Sequence, residues 1–217
     1  MSLELTQYQC LVFDCDGVIL NSNKVKTQAF YNAALGFGES KAQELVEYHI
    51  KNGGVSRYLK FEFFIKNILN KEVTQNLLDE LLTAFAKEVK EGLINSQVAQ
   101  GLIELREKTK QANWLIVSGG DQSELREVFL EKGLLELFDS GIFGSPDNKD
   151  IILTREKNNQ VIKGKALFLG DSKYDYEAAS RADLDFVFLT DWSEVKDWQS
   201  YAAQNNLLTL NSISALL

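Results

Sequence analysis

The chain is expected to fold as an α/β protein, a Rossmann-like parallel sheet covered by helices and interrupted once by an all-helical insert. Three observations predict this. Five short apolar runs recur along the 217 residues, helix-patterned stretches separate the later ones, and residues 21–95 contain no strand pattern. The runs are "CLVFDCDG" (10–17), "NWLIVSGG" (113–120), "SGIFGSP" (140–146), "ALFLGDS" (166–172) and "DFVFLTDW" (185–192). Apolar residues follow one another in them without alternation, as in strands buried on both faces.

Between the strands, "SELREVFLEKGLLEL" (123–137) places Leu125, Val128 and Phe129 on one helical face. "YDYEAASRAD" (174–183) carries alanines suited to close helix packing. Strand alternating with helix implies parallel strands joined by right-handed crossovers. The interval 21–95 breaks that rhythm. "VKTQAFYNAAL", "AQELVEYHIKN", "SRYLKFEFFIKNIL" and "VTQNLLDELLTAFAKEVKEGLI" all read as amphipathic helices. So much helix is too long for a crossover, so 1–20 and 96–217 are expected to form the core and 21–95 a separate helical domain. Its hinges are expected near 21–23 and 92–96.

Charge divides the chain in the same way. Residues 21–95 hold ten Lys or Arg and nine Asp or Glu, a net of +1, whereas the remainder holds 13 and 22, a net of −9. The overall charge of −8 argues against nucleic acid, whose affinity rests on basic residues neutralising phosphates. The start, "MSLELTQYQ", lacks a basic segment followed by an apolar run, so no signal peptide is expected. No apolar stretch approaches the roughly 18 to 20 residues of a membrane span. The expectation is a soluble, cytoplasmic protein without a membrane partner. Cys10 and Cys15 lie an odd number of residues apart, so on one strand they would face opposite ways and stay reduced. His49, the single histidine, reads as an ordinary polar position on a helix.

In open parallel sheets, ligands bind beyond the carboxyl ends of the strands. Those ends carry Asp14 and Asp16, then Ser118 with Gly119 and Gly120, then Lys149, then Asp171 and Asp175. Any one of these acids could be only a turn former or helix cap. Four successive strand ends bearing such groups point to a site. The repulsion between Asp14 and Asp16 must be offset by a cation, a shared proton or open solvent. Asp14, Asp171 and Asp175 offer the hard oxygens that suit Mg²⁺. A calcium loop would need an acid or amide at Val18 and glycine at Ile19, and zinc would need Cys–His spacing; neither is present. If Gly119 and Gly120 open the next helix, they and Ser118 form an anion pocket, with Lys149 supplying positive charge.

The order of these motifs resembles the haloacid dehalogenase-like (HAD) superfamily, in particular phosphatases with a helical cap after the first motif, such as its phosphoglycolate phosphatase and beta-phosphoglucomutase-like members. "FDCDGVILNS", "LIVSGG", Lys149 in "GSPDNKD" and "FLGDSKYDYEAA" stand where that family has its four motifs. Two departures are plain: glycine follows Ser118 where many relatives carry asparagine, and "LNS" replaces an aspartate before the serine. The resemblance implies that Asp14 attacks phosphorus to give an aspartyl-phosphate. It implies that Asp16 protonates the leaving alcohol and then activates water. It further implies that the Asp14 carboxylate, the Asp16 carbonyl and Asp171 share Mg²⁺, that Asp175 holds the metal's water shell, and that Ser118, Gly119 and Lys149 bind phosphate. The expected substrate is a small phosphorylated metabolite handled by a monomer. The alternatives are a sugar phosphomutase, or a receiver-like or inactive phosphate-binding protein, although the motif order disagrees with a receiver.

Within the insert, "NGGVSRYLKF" (52–61) is the candidate for substrate recognition, because its glycines allow a tight turn and Arg57 and Lys60 follow on one helix. A guanidinium aimed at the cleft would favour a second anionic group on the substrate. The alternative is that both residues simply solvate a surface helix.

Overall fold

Six parallel strands form one sheet, in the order β3-β2-β1-β4-β5-β6, in the computed structural model, which describes residues 3–217. They are β1 (Cys10–Phe13), β2 (Asn113–Asp121), β3 (Ile142–Ser145), β4 (Ala166–Gly170), β5 (Asp185–Leu189) and β6 (Leu208–Leu210). The first five coincide with the five apolar runs. β1 and β4, central and covered on both faces, are buried at every position. The sixth strand is short and half-exposed, which is why no apolar run announces it.

Alternation in β1 sorts its side chains into two cores. Leu11 and Phe13 join the larger cluster, which continues into the helices of the insert, while Cys10 and Val12 join the smaller one on the other face. Cys15 belongs to the larger cluster, so the two buried thiols lie in different cores and both are free.

Between β1 and β2 run α1 (Asn23–Ala34), α2 (Glu39–Lys51), α3 (Arg57–Phe63) and α4 (Gln75–Asn95). Ser56 caps α3 by accepting the Leu59 N–H, and Thr74 caps α4 by accepting that of Leu77. Phe30, Phe61, Phe64, Phe85 and Leu81 are buried where these helices meet. The connectors into and out of this insertion run side by side. Asn21 N–H donates to the Gln97 carbonyl and Ala99 N–H to that of Ile19, both at 2.9 Å.

The remaining helices are α5 (Leu102–Lys108), α6 (Gln122–Glu131), α7 (Lys149–Asn158), α8 (Lys173–Arg181) and α9 (Trp198–Gln204). The single long helix expected over 123–137 instead ends at Glu131, because Gly133 turns the chain at φ +66° and only a short helical turn, Leu135–Leu137, follows. No helix among the described residues is long and apolar enough to cross a membrane.

Candidate active site

β1 delivers Asp14 to the centre of the sheet's carboxyl edge, where its N–H still pairs with the Leu169 carbonyl of β4 at 2.9 Å. The chain then turns tightly at Gly17. Its φ is +74°, and a Cβ there would lie 2.0 Å from Asp171 Oδ2. Glycine is required both for the left-handed backbone and for letting Asp171 approach. Asp171 follows β4, and its Oδ2 accepts Asn23 Nδ2 at 2.7 Å. The same Asn23 amide reaches the Trp192 carbonyl, so the first residue of α1 is tied to the core through an acid of the site.

Asp175 sits one turn into α8 in a capping box with Ser172. Its Oδ2 accepts the Asp171 and Ser172 amides and the Ser172 hydroxyl. Its Oδ1 is paired with Lys149, which begins α7 after the Asn148 cap. The Lys149 ammonium also lies 2.8 Å from Asp14 Oδ1, close enough for attraction but not aligned as a hydrogen bond, and that oxygen has no hydrogen-bond partner among the described residues. One fully buried lysine therefore bridges two buried carboxylates.

Ligand oxygens of Asp14, Asp171 and Asp175 lie within 4.8 Å of one another. Burial, opposed by Lys149 and reinforced by Asp175 and Asp16, pushes the Asp14 carboxyl up to about 7. Burial, then Asp175 and Asp14, raise Asp171 as well. Three buried acids sharing one ammonium are short of positive charge, and the hard, hydrogen-bond-poor oxygen on Asp14 suits a divalent cation such as Mg²⁺. The residues fit the metal.

Asp16 has a different environment. Its carboxylate is held by Lys26 Nζ at 2.5 Å and the Ser22 hydroxyl at 2.6 Å. Burial alone would raise it, but Lys26 and Ser22 outweigh burial and hold it below the usual carboxylate range. Lys26 was not anticipated. The available signal was its position one turn after Ser22 on α1, where both side chains share a face.

Ser118, Gly119 and Gly120 do not open a helix. They belong to β2, and α6 begins only after Asp121, whose carboxylate caps it by accepting the Ser123 and Glu124 amides. The anion pocket expected at a helix N-terminus is therefore not formed by the two glycines. Gly119 and Gly120 line the cavity, while Ser118 lies buried beneath them, its oxygen accepting the Gly120 N–H at 3.0 Å. The cavity has only about 50 Å³ of free volume, because the insertion lies closed upon it. A Cβ on Gly119 would fall 2.2 Å from the Gly54 carbonyl. The glycine that replaces a common asparagine thus makes room for the turn between α2 and α3. Gly119→Asn is expected to hold that turn away from β2 and lower kcat/KM roughly a hundredfold. Steady-state kinetics together with a larger radius of gyration by small-angle scattering checks this.

Arg57 and Lys60 are not solvated; both are buried. Arg57 forms a two-point ion pair with Glu124 of α6, at 2.5 and 3.1 Å, and lies over the Phe85 ring. Lys60 contacts His49 Nδ1 at 2.8 Å. His49 is likewise not an ordinary polar position on a helix, since it is buried against Phe30 and lines the cavity with Asp14, Asp16, Lys26 and Asp171. Its role was not legible because it depends on α1 and α3 packing around it.

Comparison with known proteins places this arrangement. A phosphorylated carbohydrates phosphatase of Thermotoga maritima is 24% identical over 190 residues, covering 83% of this chain and 84% of its own. The fold is shared with a beta-phosphoglucomutase from Clostridium difficile, at TM-score 0.72 and 17% identity, over 97% of this chain and 93% of that one. It is also shared with a predicted phosphatase from Clostridium acetobutylicum, at TM-score 0.73 and 19% identity, over 96% of both chains. The sequence pattern of haloacid dehalogenase-like hydrolases matches residues 8–183, the stretch that carries Asp14, Asp16, Ser118, Lys149, Asp171 and Asp175 on one sheet edge, and the chain belongs to that family of hydrolases.

Proposed function

We propose that the protein is a Mg²⁺-dependent phosphatase that hydrolyses a small phosphate monoester through an aspartyl-phosphate on Asp14, with residues 21–95 acting as a cap. The observation that carries this reading is the contrast between two acids only two residues apart. Asp14 lies among acids and Lys149, where a metal and a phosphoryl group would be held. Asp16 is set apart from it by Lys26 and Ser22.

When bound, Mg²⁺ supplies charge that draws the phosphate oxygens to the carboxylates and offsets the negative charge of the transferring group. The Asp14 carboxylate attacks phosphorus, the P–O bond to the alcohol breaks, and the leaving oxygen takes a proton from the Asp16–Lys26 pair. In the second half the ionised Asp16 accepts a proton from water as that water attacks phosphorus, which returns the Asp14 carboxylate and releases inorganic phosphate. Lys149 keeps Asp14 and Asp175 in place throughout. Gly119 and Gly120 form the rim against which the phosphoryl oxygens rest, held from beneath by Ser118, whose hydroxyl oxygen accepts the Gly120 N–H. The closed insertion excludes water from the ester.

The substrate class is supported by the carbohydrate phosphatase of Thermotoga maritima, whose sequence aligns over most of both chains. Phosphoglycolate-like and sugar-phosphate-like esters are the candidates, and the protein is read as a cytoplasmic monomer. The test is a panel of phosphate esters with the purified protein, in Mg²⁺ and in excess chelator. Mg²⁺-dependent release of inorganic phosphate is expected. Interconversion of two sugar phosphates without release would make it a mutase, and release that survives chelation would remove the metal from the reaction.

A further inference from the structure

Of the three acids gathered at the sheet edge, two are held by the core itself. Lys149 lies beside both Asp14 and Asp175, and Ser172 donates to Asp175 as well. Asp171 is held differently. Its backbone is fixed by the core, because its N–H donates to Asp175 Oδ2 at 3.2 Å and its carbonyl accepts the Ser193 hydroxyl at 2.6 Å. Its carboxylate accepts a single hydrogen bond among the described residues, and that bond comes from the insertion, from Asn23 Nδ2 at 2.7 Å.

The contact is built for this pair. One amide nitrogen carries two hydrogens and no charge, and Asn23 directs them at Asp171 Oδ2 and at the Trp192 carbonyl, at 2.7 and 2.8 Å. Asp171 Oδ1 accepts no hydrogen bond among the described residues, and Asp171 lines the cavity, so this oxygen is left for a cation. Gly17 clears the space: a Cβ there would lie 2.0 Å from Asp171 Oδ2 and 2.5 Å from Asn23 Nδ2. Asn23 is also the first residue of α1, and one turn later Thr27 donates to Glu194 of the core at 3.0 Å. With α1 docked, the Asp171 carboxylate is aimed. With α1 lifted away, nothing holds it against the repulsion of Asp14 and Asp175.

We propose that Asn23 is a positioning residue for Mg²⁺, and that its bond to Asp171 couples metal binding to docking of the insertion. This rests on the metal of the phosphatase reading above. Outer partners that orient a ligating side chain contribute about 10- to 100-fold in metal affinity. The coupling is reciprocal, so the factor by which docking tightens Mg²⁺ is the factor by which Mg²⁺ favours the docked state. The insertion thereby senses the cation without touching it.

The test is calorimetric titration with Mg²⁺ alone, in the absence of any ester. Asn23→Leu keeps the branched shape but donates nothing, and its dissociation constant is expected to rise about 10- to 100-fold. Thr27→Val removes a docking contact of the same helix that touches none of the three acids, and it should stay within about twofold of the parent. Hydrogen exchange gives the reciprocal arm. Saturating Mg²⁺ should slow exchange of the α1 amides in the unaltered protein, and slow it less in Asn23→Leu. Affinity within about twofold of the parent in Asn23→Leu, or an equal loss in Thr27→Val, overturns the proposal. So does equal slowing of α1 exchange in parent and variant. If Asn23→Leu fails to fold, Asn23→Ala takes its place. If that also fails, the unaltered protein decides: slowing confined to the insertion supports the coupling, and no slowing there overturns it. Absence of Mg²⁺ binding to the unaltered protein would overturn the metal of the phosphatase reading and this proposal together. Binding that Asn23→Leu leaves intact overturns this proposal alone.

Discussion

Asp14→Asn is expected to fold normally and to lose turnover to background, a fall on the order of 10⁴ or more. The substitution keeps the shape of the side chain but, under the proposed mechanism, replaces the attacking oxygen with an amide that cannot form the aspartyl-phosphate. Its effect on folding should be opposite to its effect on activity. Asp14 is one of three buried acids within 4.8 Å, and burial together with Asp175 and Asp16 already pushes its carboxyl up to about 7. Removing that charge at neutral pH relieves repulsion, while Lys149 keeps its pairing with Asp175. In chelator the variant should therefore melt at or above the parent, and added Mg²⁺ should stabilise it less. Phosphate release and thermal melts measure both effects. Turnover within tenfold of the parent would take the nucleophile's role from Asp14.

Lys149→Met should produce the largest loss of stability of any substitution in the site. It leaves Asp14 and Asp175 buried without the cation between them, the situation in which breaking a buried pair costs about 3–5 kcal/mol. For a chain of this size, at about 2–4 °C per kcal/mol, the melting temperature should fall by roughly 10 °C. The deficit has a definite dependence on pH. Asp14 has a folded pKa raised above its unfolded value, so its contribution is fully present at acid pH and is lost as pH rises through about 7. Losing Lys149 raises that carboxyl further, so the deficit measured in chelator should be large at pH 8 and smaller at pH 5.5. Saturating Mg²⁺ should also reduce it, because a cation again stands between the acids. A deficit independent of both pH and Mg²⁺ would show that Lys149 acts through packing alone.

The sheet and the acids at its edge are legible in the order of residues along the chain. The central strands are continuous apolar runs because both faces of the sheet are covered, and the acids at their ends stand out against that background. Local features that depend on one segment, such as the capping of α3 by Ser56, are also written in neighbouring residues. What escaped depends on segments far apart in the chain. Asn23 matters because it meets Asp171, 148 positions later. Gly119 reads as part of an anion pocket at a helix start, and its place in β2 with the Gly54 carbonyl against it depends on a distant turn. Arg57 reads as a candidate for substrate recognition or as a solvated cation, and neither reading foresees its pairing with Glu124 of α6. β6 escaped for a different reason, since three half-exposed residues carry too little pattern to detect.

The two connectors that pair through Asn21 with Gln97 and Ala99 with Ile19 make the whole helical excursion begin and end at one point. A detour whose ends are already joined can lengthen, shorten or change its helices without shifting the register of β1 against β2. The entropy of closing it grows only slowly with its length. Under the proposed function, the acids of the sheet edge and the residues of the insertion are therefore free to diverge at different rates. A lineage can exchange the helical wall of the cavity while leaving the acids of the sheet edge untouched.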